Sequence, residues 1–187
     1  MQAADPSLPL SGDSLAVPAP DIVAHELSRS ALMTHDRFQI RPIRRADYEE
    51  WRPLWDGYNA FYGRSGATSL PEEITHVTWE RFFDAAEPVH ALVAVEEGNL
   101  VGLVHYLYHR STTRLHDVCY LQDLFTAAAL RGLGIGRHLI HAVYDAASAA
   151  GCSRVYWQTQ VTNQAGRALY DKVGTHHGFI VYSHELT

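Results

Sequence analysis

Cysteine and clustered positive charge are both scarce in this chain. Its 187 residues include two cysteines, Cys119 and Cys152, and their wide spacing suggests neither a disulfide framework nor a thiolate metal site. The 15 Lys and Arg residues are outnumbered by 21 Asp and Glu residues and form no extended basic run. Because nucleic-acid binders need clustered positive charge to displace counterions from phosphates, we expect no nucleic-acid partner.

Long apolar runs are also lacking. No window approaches the roughly 20 uninterrupted apolar residues of a membrane span. A secretory signal would need basic residues ahead of an unbroken apolar stretch, but the first basic residue is Arg29 and the apolar clusters before it are interrupted. We therefore expect no membrane partner and a cytoplasmic location.

The chain is rich in apolar surface, since 47% of it is hydrophobic and 11% is aromatic. That is enough for one well-packed domain. Residues 1–36 differ because proline breaks every short apolar cluster in them. These prolines are Pro6, Pro9, Pro18 and Pro20. We predict a mobile N-terminal extension over residues 1–36 and a folded domain over residues 37–187.

The periodicity of apolar residues predicts elements in the order βααβββαβαβ. The predicted strands cover residues 37–44, 89–95, 100–108, 115–126, 155–159 and 179–184, and the predicted helices cover residues 46–62, 71–86, 132–150 and 163–173. This order predicts an α/β fold with a mixed, mostly antiparallel central sheet of six to seven strands and helices on both faces. The first helix carries an aromatic stripe, which we interpret as core. Its members are Tyr48, Trp51, Trp55, Tyr58 and Tyr62.

A glycine-rich loop lies between the fourth predicted strand and the third predicted helix. It reads Arg131, Gly132, Leu133, Gly134, Ile135, Gly136 and Arg137. Amides at a helix start suit a diphosphate, because they carry partial positive charge and have no intrahelical acceptor. A Walker loop would need Lys followed by Ser or Thr after the last glycine, and a dinucleotide fingerprint would need glycine at position 139. Both are excluded, which leaves another anionic cofactor or a turn that only allows close packing.

Four motifs in order resemble the GNAT superfamily of acetyltransferases, above all the small fungal histone and polyamine acetyltransferases and their bacterial relatives. Arg131, Gly134 and Gly136 match the family's loop signature, and residues 120–126 are similar to the strand before it. Asn163, Leu169 and Tyr170 match a later element in which Gly166 replaces alanine, and residues 178–182 resemble the family's ending. The resemblance covers about residues 38–186 and implies a single GNAT-like domain.

The resemblance implies that acetyl-coenzyme A lies where two parallel strands diverge, and that an amine attacks the thioester directly in a ternary complex, without a metal. The implied cofactor-binding residues are Leu124, Phe125, Thr126, Arg131, Gly132, Leu133, Gly134, Ile135, Gly136, Arg137 and Asn163. Asn163 would bind the cofactor arm or fix the helix after it. Tyr170 would protonate the departing thiolate, and the alternative for Tyr170 is packing against the sheet.

The sequence offers several candidates for the group that takes the amine proton. Polyamine-type relatives have Glu where this chain has Gln122, which cannot act as a base. The role passes to Asp123, to His116 with Asp117, or to a water relay, although Asp123 could equally be a structural carboxylate. A less basic acceptor, such as the α-amine of an amino acid, would ease the demand.

These residues predict an acetyl-coenzyme A-dependent N-acetyltransferase acting on a primary amine of a small molecule, an amino acid or a polyamine. Two alternatives stay open: a cofactor-binding regulatory module with little turnover, and a protein or histone lysine acetyltransferase. The resemblance also implies a homodimer that forms through the C-terminal strands. None of the twelve histidines completes a metal-ligand set, so we expect no metal.

Overall fold

The computed structural model describes residues 37–186, so the extension predicted over residues 1–36 lies outside the described residues. Five strands and four α-helices form within this range. The strands are β1 (Gln39–Pro42), β2 (Val89–Glu96), β3 (Asn99–His109), β4 (Val118–Thr126) and β5 (Val155–Tyr156). The helices are α1 (Tyr48–Phe61), α2 (Glu72–Arg81), α3 (Ile135–Ala149) and α4 (Gln164–Val173). None of these helices is long and apolar enough to cross a membrane.

One mixed sheet holds the strands in the order β1-β2-β3-β4-β5. The pairs β1–β2, β2–β3 and β3–β4 are antiparallel, and β4–β5 is parallel. Glu97 and Gly98 connect β2 to β3 with φ of 50° and 88°, the backbone that a tight hairpin turn requires. The predicted hairpin is therefore confirmed.

The prediction of six to seven strands is wrong, because the structure has five among residues 37–186. Residues 179–184, predicted as the last strand, are outside the sheet, and Phe179 and Tyr182 are each 87% exposed. A strand exists only where a neighbour accepts and donates its backbone hydrogen bonds. β5 is likewise shorter than predicted, since it pairs with β4 at two positions only.

The sheet carries a separate apolar core on each face. On one face, α1 and α2 pack their aromatic side chains against β2 and β3, and Trp51, Trp55 and Trp79 are all buried there. On the other face, α3 buries Leu139, Ile140 and neighbouring apolar residues against β3 and β4. The interpretation of the aromatic stripe as core is confirmed for Trp51, Trp55 and Tyr58. Helices therefore lie on both faces, as expected.

Candidate active site

The two parallel strands separate soon after they meet. β4 pairs with β5 through Cys119 with Val155 and Tyr120 with Tyr156, and then β4 continues to Thr126 while β5 ends at Tyr156. The sheet therefore opens at the carboxyl ends of these strands, the edge where open α/β sheets bind ligands. The glycine-rich loop follows β4 and α4 follows β5, so the two predicted motifs flank the opening.

The glycine-rich loop has the backbone that its sequence predicts. Gly132 and Gly134 have φ of +83° and +92°, a region that glycine enters at no steric cost. Gly134 caps α3, and the amides of the first turn of that helix have no intrahelical acceptor. Their partial positive charge suits an anion. The Ile135 side chain is buried in the core, so that residue can offer a ligand only its main chain.

The arginines at the two ends of the loop differ in what they contact. The Arg131 guanidinium lies over the Phe125 ring, 5.5 Å from its centroid, and its Nε is 3.4 Å from the Thr126 carbonyl oxygen. Arg137 is exposed on the first turn of α3. Arg131 is thus held against the end of β4, whereas Arg137 extends from the helix start.

Gly136 has a packing role of its own. A Cβ atom there would lie 3.1 Å from Leu169 Cδ2, so the Leu169 side chain would have to shift by a few tenths of an ångström. Of the two descriptions that the sequence left open, this contact supports close packing. The positive-φ glycines leave the helix start open, as an anion-binding turn would also require.

Asn163 fixes the start of α4. Its Oδ1 accepts a hydrogen bond from the Gly166 backbone N–H at 3.0 Å, and its Nδ2 donates to Thr159 Oγ1 at 3.0 Å. A Cβ on Gly166 would overlap the Asn163 amide. The glycine that departs from the family pattern thus makes room for this side-chain cap.

Tyr170 lies on α4 beside the opening. Its ring packs edge-on against Trp157, with centroids 5.6 Å apart. Burial, with a smaller contribution from Tyr62, raises the pKa of Tyr170 to about 12. The phenol therefore stays protonated across the physiological range, as a proton donor must.

Asp123 is held in a buried chain of three side chains that the sequence analysis missed. Its Oδ2 lies 3.0 Å from His105 Nδ1, and the Trp51 indole N–H donates to His105 Nε2 at 3.1 Å. Trp51, His105 and Asp123 are 0%, 2% and 5% exposed. The spacing of Trp51 and His105 along the chain gives no signal of this contact, because it depends on how α1 crosses β3.

A bulge in β4 puts Asp123 on the face that α1 covers. His105 pairs with Asp123 and Tyr106 pairs with Leu121, so Gln122 is the extra residue. Gln122 is exposed. Without the bulge, alternation from Tyr120 would put Gln122 on that face. The structure therefore places Asp123, and not Gln122, on the face that α1 covers.

Three tyrosines lie near Asp123, and one arginine lies beyond two of them. Burial first, and then the Asp123 charge, raise the pKa of Tyr58. Burial and Asp123 also raise the pKa of Tyr62 and Tyr120, while Thr159 and Arg64 act on Tyr62 in the opposite direction. The Arg64 guanidinium lies 5.8 Å from the Tyr58 ring centroid and 5.6 Å from that of Tyr62. Asp123 thus faces phenols that stay neutral, and Arg64 lies on the far side of two of them.

His116 and Asp117, the alternative proton acceptors, lie elsewhere. Asp117 pairs with the exposed Arg110 at 2.9 Å, just before β4 begins. Five residues, 118–122, separate it from Asp123, and the six steps along the strand span up to about 20 Å. Among residues 37–186, no three His, Cys, Asp or Glu side chains come together as metal ligands.

A cleft of about 1070 Å³ lies beside β5 and α4, and Tyr170 is among its lining residues. Trp157, Val173, Phe179, Ile180 and Val181 also line it. The last three side chains belong to the segment that was predicted to form a strand.

The family model for the acetyltransferase (GNAT) family matches residues 46–175, so the chain belongs to that family and is an acyltransferase. Members of the family bind acetyl-coenzyme A, and the glycine-rich loop described above fits that anionic ligand.

Three relatives show how far the similarity extends. The chain is 34% identical over 143 residues to the D-amino-acid N-acetyltransferase HPA3 of Saccharomyces cerevisiae, covering 75% of this chain and 86% of the yeast protein. It is 26% identical over 145 residues to the uncharacterized N-acetyltransferase YhfO of Bacillus subtilis, covering 76% and 94%. A solved structure of AAC(6')-Iy with a bisubstrate analogue superposes with a TM-score of 0.68 at 18% identity, covering 80% and 98%.

Proposed function

We propose that this chain transfers an acetyl group from acetyl-coenzyme A to the primary amine of a small molecule, and that the acceptor is an amino acid. The observation that carries the proposal is the placement of Asp123 and Tyr170 around one opening of the sheet, next to an anion-binding helix start. Each of these two residues can move a different proton of an amine acetylation.

The proposed cofactor site uses main chain more than side chains. The residues that would hold acetyl-coenzyme A are Leu124, Phe125 and Thr126 through backbone groups at the end of β4, and residues 132–137 through their amides. Arg137 adds positive charge at the surface, whereas Arg131 supports the end of β4. For Asn163, the cap on α4 favours fixing the helix rather than binding the cofactor arm.

Acetyl-coenzyme A supplies the acetyl thioester when bound. On the acceptor side, Asp123 takes the proton that the amine nitrogen loses as its bond to the acetyl carbon forms. Because the Asp123 carboxylate is nearly buried, we place the Tyr58 hydroxyl between the amine and Asp123 as the group that passes the proton on. On the other side, the Tyr170 O–H gives its proton to the sulfur as the carbon–sulfur bond breaks, and Tyr170 then regains a proton from water.

Arg64 favours an amino acid over a polyamine. Its Nε donates to Asn59 Oδ1 at 2.7 Å, and its guanidinium lies over the rings of Tyr58 and Tyr62. A guanidinium binds a carboxylate well and repels a second ammonium group. A zwitterion can place its amine toward Asp123 and its carboxylate toward Arg64. The yeast relative is a D-amino-acid N-acetyltransferase, which agrees with this choice.

The test is thiol release from acetyl-coenzyme A with D- and L-amino acids, the corresponding amino acid amides, polyamines, aminoglycosides and a lysine-rich peptide. We expect turnover with amino acids and a large loss with the amides, which lack the carboxylate. Arg64→Gln should raise the KM for the amino acid and leave the KM for acetyl-coenzyme A unchanged. Equal turnover of amino acids and polyamines would contradict the assignment, and turnover of the peptide alone would indicate a lysine acetyltransferase.

We also propose a homodimer in a cytoplasmic location. The outer edge of β5 pairs with no other strand in residues 37–186, and the apolar residues 179–182 are 63% to 87% exposed. Such a segment and an open sheet edge can complete each other between two copies of one chain. The cleft beside β5 gives the partner's segment an apolar place to bind.

A further inference from the structure

The chain of Trp51, His105 and Asp123 connects three elements of the fold. Trp51 comes from α1, His105 from β3 and Asp123 from β4. The His105 ring is also enclosed by Trp55 and Phe82, with centroids 5.3 Å and 4.6 Å away. Water therefore has little access to either ring nitrogen, and the protein fixes what each nitrogen does.

The hydrogen bonds determine where the His105 proton lies. An indole N–H can only donate, so His105 Nε2 must accept and carries no proton. The ring proton is then on Nδ1, which donates to Asp123 Oδ2. A doubly protonated ring would bring an Nε2–H against the Trp51 N–H, two donors facing each other in a buried site. The Trp51 indole thus opposes a positive charge on His105.

We infer that Trp51 is a positioning residue that keeps His105 neutral, so that Asp123 receives one directed hydrogen bond instead of an ion pair. A carboxylate beside a cation is a weaker base than one beside a neutral donor. This role rests on the proposed function, in which Asp123 accepts the amine proton. A neutral His105 preserves the ability of Asp123 to do so. Trp51 acts through His105 and touches neither acceptor nor cofactor.

Other groups facing the pair do not supply the same control. On α1 and β4 the titratable neighbours are the phenols of Tyr58, Tyr62 and Tyr120, whose pKa values are all raised, so they stay neutral. Phe82 after α2 and Thr159 after β5 carry no charge. Arg64 is a permanent cation on the far side of the tyrosines. Of these groups, His105 is the one with a ring nitrogen 3.0 Å from Asp123 Oδ2.

The first test compares two tryptophan variants across pH. Trp51→Phe removes the indole N–H and frees Nε2 to take a proton. We expect the acid limb of the kcat/KM profile to move up toward about pH 6.5, where an unrestrained histidine titrates, with little change above pH 8. Trp55→Phe is the matched control, because Trp55 stacks on Trp51 at 5.8 Å and donates to Thr75 instead. Its profile should keep the wild-type midpoint.

The second test uses two substitutions of His105. His105→Asn can keep a donor near the Nδ1 position and cannot become charged, whereas His105→Leu keeps bulk without a donor. We expect His105→Asn to retain at least about tenfold more kcat than His105→Leu, a smaller effect than the roughly 10²–10⁴-fold typical of a group that transfers the proton itself. Thermal melting of both variants identifies any loss caused by unfolding. Equal kcat in the two folded variants would overturn the positioning role.

The third readout needs no turnover. The ¹⁵N chemical shifts of the His105 ring should show one tautomer, protonated on Nδ1, that does not titrate between pH 5 and 8 in the wild type. In Trp51→Phe the same signals should titrate. A His105 ring that titrates in the wild type would overturn the inference even if the enzyme is active. An untitrating ring in a chain that acetylates none of the acceptors would instead contradict the proposed function and leave Trp51's control of the ring intact.

Discussion

At the scale of single residues, removing one hydroxyl group distinguishes a chemical role of Tyr170 from a packing role. Tyr170→Phe keeps the ring against Trp157 and removes only the O–H. If Tyr170 protonates the sulfur, kcat should fall by about 10²–10⁴-fold, while the melting temperature and the KM for acetyl-coenzyme A change little. Because burial raises the pKa of Tyr170 to about 12, its ionisation should not lower the wild-type rate below about pH 10. An unchanged kcat in Tyr170→Phe would leave this residue as a packing tyrosine.

Asp47 shows how one carboxylate secures the start of α1. It accepts hydrogen bonds from Arg41 Nη1 and Nη2 at 2.6 Å and 2.9 Å and from the Arg44 backbone N–H at 2.7 Å. These contacts, Arg41 above all, outweigh burial and lower the pKa of Asp47. Asp47→Asn should therefore cost about 1.5–3 kcal/mol of unfolding free energy at pH 7.

The lowered pKa of Asp47 determines the pH range in which this carboxylate stabilises the fold. A lowered carboxyl pKa stabilises the fold above the unfolded value of about 3.9, and the stabilisation is lost as the pH falls through the folded value. In urea unfolding, the difference in unfolding free energy between wild type and Asp47→Asn should thus become smaller below about pH 4. Glu80→Gln is the control, since its ion pair with Arg45 is exposed and should cost less than about 1 kcal/mol.

At the scale of elements, the approach of α1 to β4 depends on Gly57. A Cβ atom there would lie 2.7 Å from Phe125 Cζ. Alanine favours a helix over glycine by about 1 kcal/mol, yet we expect Gly57→Ala to lower the unfolding free energy because the ring must move. Adding Phe125→Leu should recover part of the loss. Stabilisation by Gly57→Ala alone would show that α1 shifts without cost.

Much of this arrangement follows from local sequence, and the rest depends on contacts between distant residues. The glycine-rich loop, the aromatic stripe of α1 and the β2–β3 turn are encoded by residues close in the chain, and their conformations were predictable. The bulge at Gln122 and the Trp51–His105–Asp123 chain were not, because both arise from the register of β3 and β4 and from the crossing of α1. The alternation of residues 179–184 predicts a strand, but alternation cannot supply the neighbour that a strand needs.

At the scale of the whole molecule, the proposed homodimer should depend on the C-terminal segment. Sedimentation velocity should show a dimer for the full chain and a monomer after deletion of residues 179–187. Val181→Ser should weaken the dimer, whereas Leu115→Ser should not, although Leu115 is 96% exposed on a loop away from β5. A full chain that sediments as a monomer across the micromolar range would contradict the assembly.

The distribution of tryptophan gives this protein an optical property. Of its four tryptophans, Trp51, Trp55 and Trp79 are 0% to 5% exposed in one cluster, and Trp157 stands apart beside Tyr170 at the opening of the sheet. The intrinsic fluorescence therefore combines emission from three buried tryptophans with emission from Trp157 at the opening of the sheet. A spectrum taken with and without ligand would separate events at the opening from events in the core, with no added dye.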